Sequence, residues 1–466
     1  MESPTPRSSH RRYAFVGTGH RAEVFLLALL TSHADVGEPV ALCDTNPGRM
    51  AYYQKLRDGQ LGGVAPLPEY PPERFDDMVR DERPDVVVVT SPDHTHASYI
   101  TRALGAGVDV ITEKPMTIDE AGVRGIVAAV QSSDADLTVT FNYRYSPRNS
   151  ALRGLIADGA VGEVTSVHFE WLLDTVHGAD YFRRWHREKT LSGGLLVHKS
   201  THHFDLVNWW LDDEPRTVFA LGGLRFYGAA NAARRGLPPR SDRTHGSGAL
   251  DDPFALDLQA TERLRALYLD AERFDGYVRD RDVFSGGISI EDNLAVLVGY
   301  ERGAALTYSL NAHSPWEGYR VAVNGTEGRA ELEVIERAAV QEAGAGGLVG
   351  RGRRHVVDPS AQESPGNGGV RATGARLTLQ RHWEAAEEVS IPAGRGSHGG
   401  GDALLLDDLF RGADSSDPLR RQADYADGAR SVLVGHAANV ALATGRPVHL
   451  APGGLRLADA SSQPNP

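Results

Sequence analysis

The sequence of 466 residues contains a single cysteine, Cys43. One cysteine forms no disulfide within the chain and supplies no cysteine-based zinc site. Such a composition fits a reducing compartment, so we expect a cytoplasmic protein. A normal buried core is still expected, because 41% of the residues are hydrophobic and 24% are charged.

Excess positive charge and long apolar segments are also lacking. The formal net charge is −13, which repels phosphate backbones, so we expect no nucleic-acid partner. No apolar run approaches the roughly 20 residues that span a bilayer, so we expect no membrane partner. The first dozen residues lack the apolar centre of a secretory signal. Residues 1–11 and 453–466 are predicted to be disordered tails.

Residues 12–146 alternate between two patterns. Short apolar segments such as Arg12–Val16 and Asp85–Thr90 are typical of buried strands, whereas Ala22–Leu30 has helical spacing. The same alternation continues to a strand at Leu137–Phe141. It predicts an α/β protein whose N-terminal domain is a doubly wound parallel sheet.

The pattern changes after Pro147. Val164–Leu173 and Asn293–Leu310 predict long strands with a glycine-containing turn at Glu301-Arg302-Gly303, and Arg320–Val334 predicts a hairpin around Asn324-Gly325. We therefore expect residues 147–452 to form an α+β domain with a large, mostly antiparallel open sheet. Its Gly- and Arg-rich stretches at 229–253 and 342–374 are predicted to be inserted surface loops.

A glycine-containing turn lies between the first predicted strand and the first predicted helix. Gly17 allows a tight turn, Gly19 lets a pyrophosphate approach the backbone, and Ala22 takes the third glycine place of the dinucleotide fingerprint. Asp44 ends the next strand, where a carboxylate can bind ribose hydroxyls. Because it would repel a 2′-phosphate, the pattern favours NAD over NADP. A plain glycine turn with a solvated aspartate is the alternative.

Two more polar groups follow predicted strands, at the sheet edge where parallel strands bind ligands. They consist of Ser91, Pro92, Asp93, His94, Thr95 and His96, and of Glu113, Lys114 and Pro115. The proline disfavours helical backbone at Lys114 and permits a cis bond after it, which would direct the ammonium into the cleft. A surface lysine at a strand end is the alternative.

A later segment carries three histidines and a lysine within six residues. We predict one helix from Leu195, in which His198 and His202 are four residues apart and share a face. A neutral imidazole can accept the proton of an alcohol, which is the step that an alcohol dehydrogenase needs. Lys199 is expected to project away from both, and Asp205 to orient the ring of His202.

Two alternatives stay open for these histidines. Histidines four residues apart can bind zinc, but the glutamate of that motif is absent, no third ligand is evident and Lys199 adds positive charge. We predict no metal. The other alternative is a set of core histidines in an ordinary helix, although burying this many polar groups without purpose is costly.

Together these motifs resemble the glucose-fructose oxidoreductase, inositol dehydrogenase and MocA (Gfo/Idh/MocA) family over nearly the whole chain. The resemblance lies in 17–21, 91–96, 103–110, Glu113-Lys114-Pro115, Asn142-Tyr143-Arg144 with Pro147, and 325–328. It implies a Rossmann domain and a second domain whose open sheet often builds oligomers, so we expect a homo-oligomer.

The motifs and the resemblance together predict roles for residues. The expected cofactor-binding residues are Gly17, Thr18, Gly19, His20, Arg21, Asp44, Ser91, Pro92, His94, His96, Glu113 and Lys114. The expected catalytic residues are Lys114, His202 and His198. The expected substrate-binding residues are Asn142, Arg144, Lys199 and His203.

One position departs from the family pattern. His202 matches the histidine of the motif Gly-Gly-x-x-x-Asp-x-x-x-His and would act as acid/base, while Lys114 would contact the substrate hydroxyl and the nicotinamide. The aspartate place of that motif holds His198, so an imidazole replaces a carboxylate that would accept hydrogen bonds from a sugar.

These inferences predict an NAD(P)-dependent oxidoreductase that transfers a hydride between nicotinamide and a carbinol carbon of a sugar or polyol. One rival is a glycoside hydrolase that holds NAD and works by transient oxidation and elimination. The glycine-rich segment His398–Asp402 resembles glycosidase-like branches of the family; it would line the cleft, or simply cap a helix from Ala403. A non-catalytic sensor of dinucleotide or sugar is the other rival.

Overall fold

The computed structural model describes residues 10–248, 252–340, 357–358, 371–394, 400–413 and 416–458. Most of both predicted tails, most of the predicted insertion at 342–374, and His398 lie outside these residues. Within them, no helix is long and apolar enough to cross a membrane.

The N-terminal domain is built on a seven-stranded sheet. Numbered in chain order, its strands are β1 (Arg11–Val16), β2 (Gly37–Cys43), β3 (Glu69–Tyr70), β4 (Val86–Val89), β5 (Asp109–Thr112), β6 (Leu137–Val139) and β15 (Ala423–Asp424). The order is β15-β6-β5-β4-β1-β2-β3, and all pairs are parallel except β15 with β6. The strand order reverses between β1 and β4, which is where doubly wound sheets bind ligands.

Both faces of this sheet are buried. Along β1, Tyr13 and Phe15 belong to one apolar core, and Ala14 and Val16 to another. Helices provide the cover on either side, namely α1 (Ala22–Leu30), α2 (Pro47–Leu61), α3 (Phe75–Glu82), α4 (His96–Gly105) and α5 (Glu120–Gln131). Such two-sided burial explains why the strand segments are nearly continuous apolar runs.

The second domain contains a nine-stranded sheet. Its strands are β7 (Val164–Asp174), β8 (Pro215–Gly223), β9 (Asn293–Tyr300), β10 (Ala305–Ser314), β11 (Glu317–Gly325), β12 (Gly328–Arg337), β13 (Gly374–Arg381), β14 (Glu387–Val389) and β16 (Val448–His449). The order is β14-β13-β12-β11-β7-β10-β9-β8-β16. Among the described strands of this second sheet, only β10 and β7 pair in parallel.

The described residues of the second domain also form helices. They are α6 (Pro147–Ala157), α7 (His177–Arg183), α8 (Lys189–Ser192), α9 (Leu195–His198), α10 (Thr201–Leu211), α11 (Ala229–Arg234), α12 (Glu262–Leu264), α13 (Glu272–Asp275), α14 (Gly401–Arg411) and α15 (Tyr425–Thr444). Helix α15 contacts α9, α10 and β8 of its own domain and also α5 and β6 of the first. A Cβ at Gly435 would stand 2.3 Å from the Leu196 carbonyl oxygen, so this glycine lets α15 lie directly against α9.

The fold class is confirmed, and several elements match the sequence predictions. Helix α1 has the predicted bounds, and the predicted hairpin is β11 and β12 joined at Thr326-Glu327. The segment Asn293–Leu310 contains strand β9 and most of β10, with the predicted turn Glu301-Arg302-Gly303 between them. The last predicted strand of the first domain ends at Val139, and residues 142–145 form a 3₁₀ turn.

The predicted single helix from Leu195 to Leu211 is wrong. It is two helices, α9 and α10, that meet at Lys199 and Ser200. The Ser200 N–H donates to the Leu195 carbonyl five residues back, at 2.9 Å, so the regular four-residue pattern is broken there. Side chains on either side of the break do not follow the spacing of one continuous helix.

Candidate active site

A cavity of about 460 Å³ opens where β1, β2, β4, β5 and β6 end, and the second domain closes its other side. Its volume is in the range of sites for small ligands and cofactors. Residues of both domains line it, so the cavity lies at the switch point of the first sheet and faces α7, α9 and α10.

The glycine turn forms one wall of the cavity. Gly17 has φ +86°, and a Cβ there would stand 2.4 Å from the backbone of Ser91, so only glycine fits. A Cβ at Gly19 would meet no described atom within 4 Å, and this residue lines the cavity. Open space beside Gly19, next to the start of α1, suits a dinucleotide pyrophosphate.

Asp44 also lines the cavity. Thr18 donates to its Oδ2 from the backbone nitrogen at 2.5 Å and from the hydroxyl at 2.9 Å, and the Asn46 N–H donates to its Oδ1 at 2.8 Å. The expected direct contact of Thr18 with the cofactor is wrong, because its buried side chain is turned to Asp44 instead. Thr18 therefore fixes the carboxylate that was expected to bind the ribose.

Part of the second domain covers this end of the cavity. Tyr268 shares a hydrogen bond with His20 Nδ1 at 3.1 Å, and Asp275 forms an ion pair with Arg49 at 2.8 Å. Burial lowers the pKa of His20 to about 3, so its ring is neutral at physiological pH. None of these contacts was predicted, since residues 265–277 carry no motif.

The two polar motifs that follow β4 and β5 meet at the cavity. Ser91, Pro92, His94 and His96 line it. The His96 ring lies between the Pro115 carbonyl, at 2.8 Å, and the Ser91 carbonyl, at 2.7 Å. His96 therefore holds the two motifs in contact.

Arg21, Glu113 and Lys114 form the next part of the wall. Arg21 and Glu113 are an ion pair at 2.5 Å. The Lys114–Pro115 bond is cis, and the Lys114 ammonium donates to the His198 carbonyl at 3.5 Å. Burial lowers the pKa of Lys114, while Glu113 and Asp93 oppose this shift.

His198 is held by Asp93. Its Nδ1 lies 2.6 Å from Asp93 Oδ2, and the two residues come from different domains. Burial lowers the pKa of His198 well below its usual range, and the nearby Lys114 and Arg184 cations lower it further. The ring is therefore neutral at pH 7, and the carboxylate fixes its orientation.

His202 lines the same cavity from α10. Its ring stacks on Tyr143, with centroids 4.4 Å apart. Asp205 does not orient it as expected, because both Asp205 oxygens bind the buried Arg144 guanidinium, at 2.5 and 2.8 Å. The prediction for Asp205 is wrong because a buried guanidinium requires a carboxylate partner.

Two expected substrate contacts are wrong. Arg144 is buried behind the cavity wall, between Asp205 and, at 3.2 Å, Asp427. His203 is fully buried; its Nδ1 is 2.7 Å from the Tyr308 hydroxyl, and its ring stacks on Trp171 at 4.0 Å. Both side chains stabilise the second domain instead of facing the cavity.

Lys199 lies where the sequence analysis did not expect its side chain. It lines the cavity beside His198 and His202, because the helix is interrupted at this residue. Its ammonium donates to the Tyr143 hydroxyl at 3.1 Å and lies 4.9 Å from the Trp171 ring centre. Its predicted place in the substrate region therefore remains compatible with the structure.

Sequence reasoning missed the cavity residues between β7 and α9, namely His177, Asp180, Tyr181, Arg184, Trp185 and His186. The His186 ring is 4.1 Å from the His198 ring. His177 joins Glu317, at 2.7 Å, to the Tyr181 hydroxyl, at 2.9 Å. Nothing in their spacing marks these residues, since they converge only in three dimensions.

Asn142 and its support link the late glycine-rich segment to the cavity. Asn142 lines the cavity and donates to Asp402 at 2.7 Å. A Cβ at Gly401 would stand 2.5 Å from the Asn142 carbonyl oxygen. The described part of this segment therefore both begins helix α14 and supports a cavity residue. Across the described residues, no three His, Cys, Asp or Glu side chains are grouped to hold a metal ion.

Fold and cavity together define an oxidoreductase with a Rossmann domain. Residues 11–141 match the model described as "Oxidoreductase family, NAD-binding Rossmann fold", and residues 153–450 match "Oxidoreductase family, C-terminal alpha/beta domain". The chain belongs to this Gfo/Idh/MocA family, as the motifs indicated. It is thus an NAD(P)-dependent enzyme of the dehydrogenase type.

Individual relatives agree with this classification. The chain is 35% identical over 454 residues to "Putative oxidoreductase YteT" of Bacillus subtilis (strain 168), covering 94% of this chain and 97% of the relative. An inositol 2-dehydrogenase of Rhizobium meliloti (strain 1021) is 35% identical over 136 residues, which are 29% of this chain and 39% of the relative. A levoglucosan dehydrogenase solved with NADH and levoglucosan shares the fold, with a TM-score of 0.60, 15% identity and coverage of 94% and 99%.

Proposed function

We propose that this oxidoreductase is an NAD-dependent dehydrogenase that acts on a hydroxyl group of a sugar or polyol. One observation carries the proposal: Lys114, His198 and His202 line the same cavity as Gly17 and Gly19. Relatives named inositol 2-dehydrogenase and levoglucosan dehydrogenase support the substrate class.

The cofactor end would be held by the space beside Gly19, the start of α1 and the Asp44 carboxylate. A bound NAD supplies the hydride acceptor for the carbinol carbon. Asp44 favours NAD because a 2′-phosphate would face its negative charge. Arg49, which lies 3.7 Å from Asp44, is also engaged by Asp275, and this supports the same choice.

Proton removal is assigned to His202. His198 is a poor acceptor, because burial and two neighbouring cations disfavour its imidazolium form. We assign His198, fixed by Asp93, to hydrogen bonding with a substrate hydroxyl. His202, stacked on Tyr143, then accepts the proton of the reacting hydroxyl.

Lys114 is assigned to the oxygen of that hydroxyl. As the proton leaves, the oxygen gains negative charge, and an ammonium held in a partly buried site stabilises such charge more than one in water. The contact of Lys114 with the His198 carbonyl keeps the ammonium beside the two histidines.

The test compares His202→Ala and Lys114→Ala with the parent enzyme, using NAD reduction by a panel of sugars and polyols. Each substitution is expected to lower kcat by about 100-fold or more. Added imidazole should partly restore the His202→Ala enzyme, because it can enter the space left by the ring. His168→Ala, at an exposed position of β7, is the matched control and should keep the parent rate.

Near-normal rates in both cavity variants with a confirmed substrate would contradict the assignment. Cleavage of a glycoside without net NADH formation would instead identify the rival hydrolase.

A further inference from the structure

We infer that the substrate is a carboxylated sugar, such as a hexuronate, and that Lys199 binds its carboxylate. The inference rests on the proposed function, because it names the substrate class of that same site. It follows from the pairing of charges around the substrate end of the cavity.

Asp93, Glu113 and Asp180 of the cavity wall already have cationic or imidazole partners. Asp93 binds His198 at 2.6 Å, and Glu113 binds Arg21 at 2.5 Å. Asp180 pairs with the Arg184 guanidinium at 3.1 Å and with the fully buried Arg279 at 2.8 Å. These carboxylates are thus already engaged by other residues.

Lys199 makes no direct contact with a described carboxylate, and Glu317, Asp358 and Glu336 act on its charge only from farther away. Only 3% of it is exposed, and within the described ranges no carboxylate oxygen lies within 4.0 Å of its ammonium. The groups it does contact are neutral, namely the Tyr143 hydroxyl and the faces of Tyr143 and Trp171. Aromatic faces and a hydroxyl offset only part of the cost of burying a charge.

A ligand carboxylate would complete this arrangement. Lys199 lines the cavity, so a bound anion can reach the ammonium without displacing a protein carboxylate. A neutral sugar offers hydroxyl groups but no opposite charge. Lys114 does not serve the same purpose in our assignment, because its ammonium is placed at the reacting hydroxyl.

The protonation of Lys199 gives the idea a second measurable consequence. Burial and the charge of Lys114 lower the pKa of Lys199 to about 7, against the opposing effect of the more distant Glu317, Asp358 and Glu336. A carboxylate beside the ammonium would raise this pKa, so its binding near pH 7 should be accompanied by uptake of about half a proton. Binding of a neutral sugar should take up none at this residue.

The experiment uses matched pairs that differ only at C6: D-glucuronate with D-glucose, and D-galacturonate with D-galactose. Binding to the NADH-loaded enzyme, which cannot oxidise the sugar, is measured by calorimetry in buffers of different ionisation enthalpy, and turnover is measured separately with NAD by NADH absorbance. We expect at least one hexuronate to bind about 10- to 150-fold more tightly than its hexose, with proton uptake.

Lys199→Met should abolish the proton uptake and the margin, by which we mean the tighter binding of a hexuronate than of its hexose. It should also raise the Tm of the unliganded protein, because it removes a buried charge that has no carboxylate partner. Lys189→Met is the control and should keep the margin, since Lys189 lies outside the cavity wall and pairs with Glu291 at 2.5 Å.

The outcomes separate the two proposals. A margin that depends on Lys199, without turnover of any sugar or polyol, would reject the dehydrogenase and keep the carboxylate site. Turnover without a margin in either pair would keep the dehydrogenase and overturn the carboxylate site. A margin that survives Lys199→Met would overturn the role of Lys199, and absence of both margin and turnover would overturn both proposals.

Discussion

The two ends of the cavity are formed by different kinds of chemical groups. The cofactor end is formed largely by backbone: a glycine turn, the start of α1 and a carboxylate fixed by Thr18 and Asn46. The substrate end is formed by buried ionisable side chains from separate helices, such as His198, Lys199 and His202. Ligand binding at the cofactor end depends on open space beside the backbone, whereas ligand binding at the substrate end depends on charged and polar side chains.

The difference explains how each end tolerates change. A backbone site fails when an added atom occupies the space meant for the ligand. A site of buried charges fails when one partner of a pair is removed, because the remaining charge stays buried and unpaired. Removing one partner of a buried ion pair near the substrate end should therefore lower stability first, whereas an atom added to the open space of the cofactor end should lower affinity first.

The largest effect is expected for Arg144→Met, at the edge of the substrate end. The substitution leaves Asp205 buried without its guanidinium partner, so the free energy of unfolding should fall by about 3–5 kcal/mol in urea titrations. The double variant Arg144→Met/Asp205→Leu should recover most of this loss. A raised KM for the sugar with unchanged stability would contradict our placement of Arg144 outside the cavity.

The next effect concerns Glu317, which lies behind the cavity and binds both His177 and Arg337. Arg337 and His177 lower the pKa of Glu317 to about 2, against the effect of burial. A carboxyl with a depressed pKa stabilises the fold fully above its unfolded pKa of about 4.3 and loses this contribution as pH falls through about 2.

The free energy of unfolding of the parent should therefore exceed that of Glu317→Gln by about 3 kcal/mol at pH 7. That advantage should shrink steadily between about pH 4.3 and pH 2 when unfolding is followed across this range. Glu388→Gln, at an exposed position of β14, should show no such trend. A difference that does not change with pH would mean that Glu317 acts through shape and not through charge.

The smallest effect is expected at the cofactor end and tests the position of the pyrophosphate. Gly19→Ala should leave the Tm of the unliganded protein unchanged, because its Cβ meets no described atom. The same Cβ would occupy pyrophosphate space and weaken NAD binding by about 1–3 kcal/mol in calorimetry. Gly17→Ala should instead lower the Tm, since φ is +86° and Ser91 is too close. Equal behaviour of the two variants would contradict the proposed position of the pyrophosphate.

The first sheet and the cofactor end were predictable because their signals are local. The strand before Gly17 and the helix after Arg21 are defined by neighbouring residues, and Asp44 stands at the end of the next strand. Apolar runs buried on both faces, such as β4, need no knowledge of distant partners to be recognised.

The substrate end was only partly predictable because its contacts join distant residues. His198 and Asp93 are 105 positions apart, and Arg144 and Asp205 are 61 apart. The break at Lys199 depends on packing around α9 and α10, so helical spacing placed its side chain wrongly. His186 and Tyr181 carry no motif and join the wall only after the chain has folded.

The short strand β15 has a consequence for any attempt to separate the two domains. It comes from residues 423–424, yet it forms the outer edge of the Rossmann sheet beside β6. Without it, the polar backbone of β6 would be exposed and could pair with another molecule. A fragment ending near residue 146 should thus aggregate more readily than the whole chain, and a protease acting between the domains would leave two parts that still share one sheet.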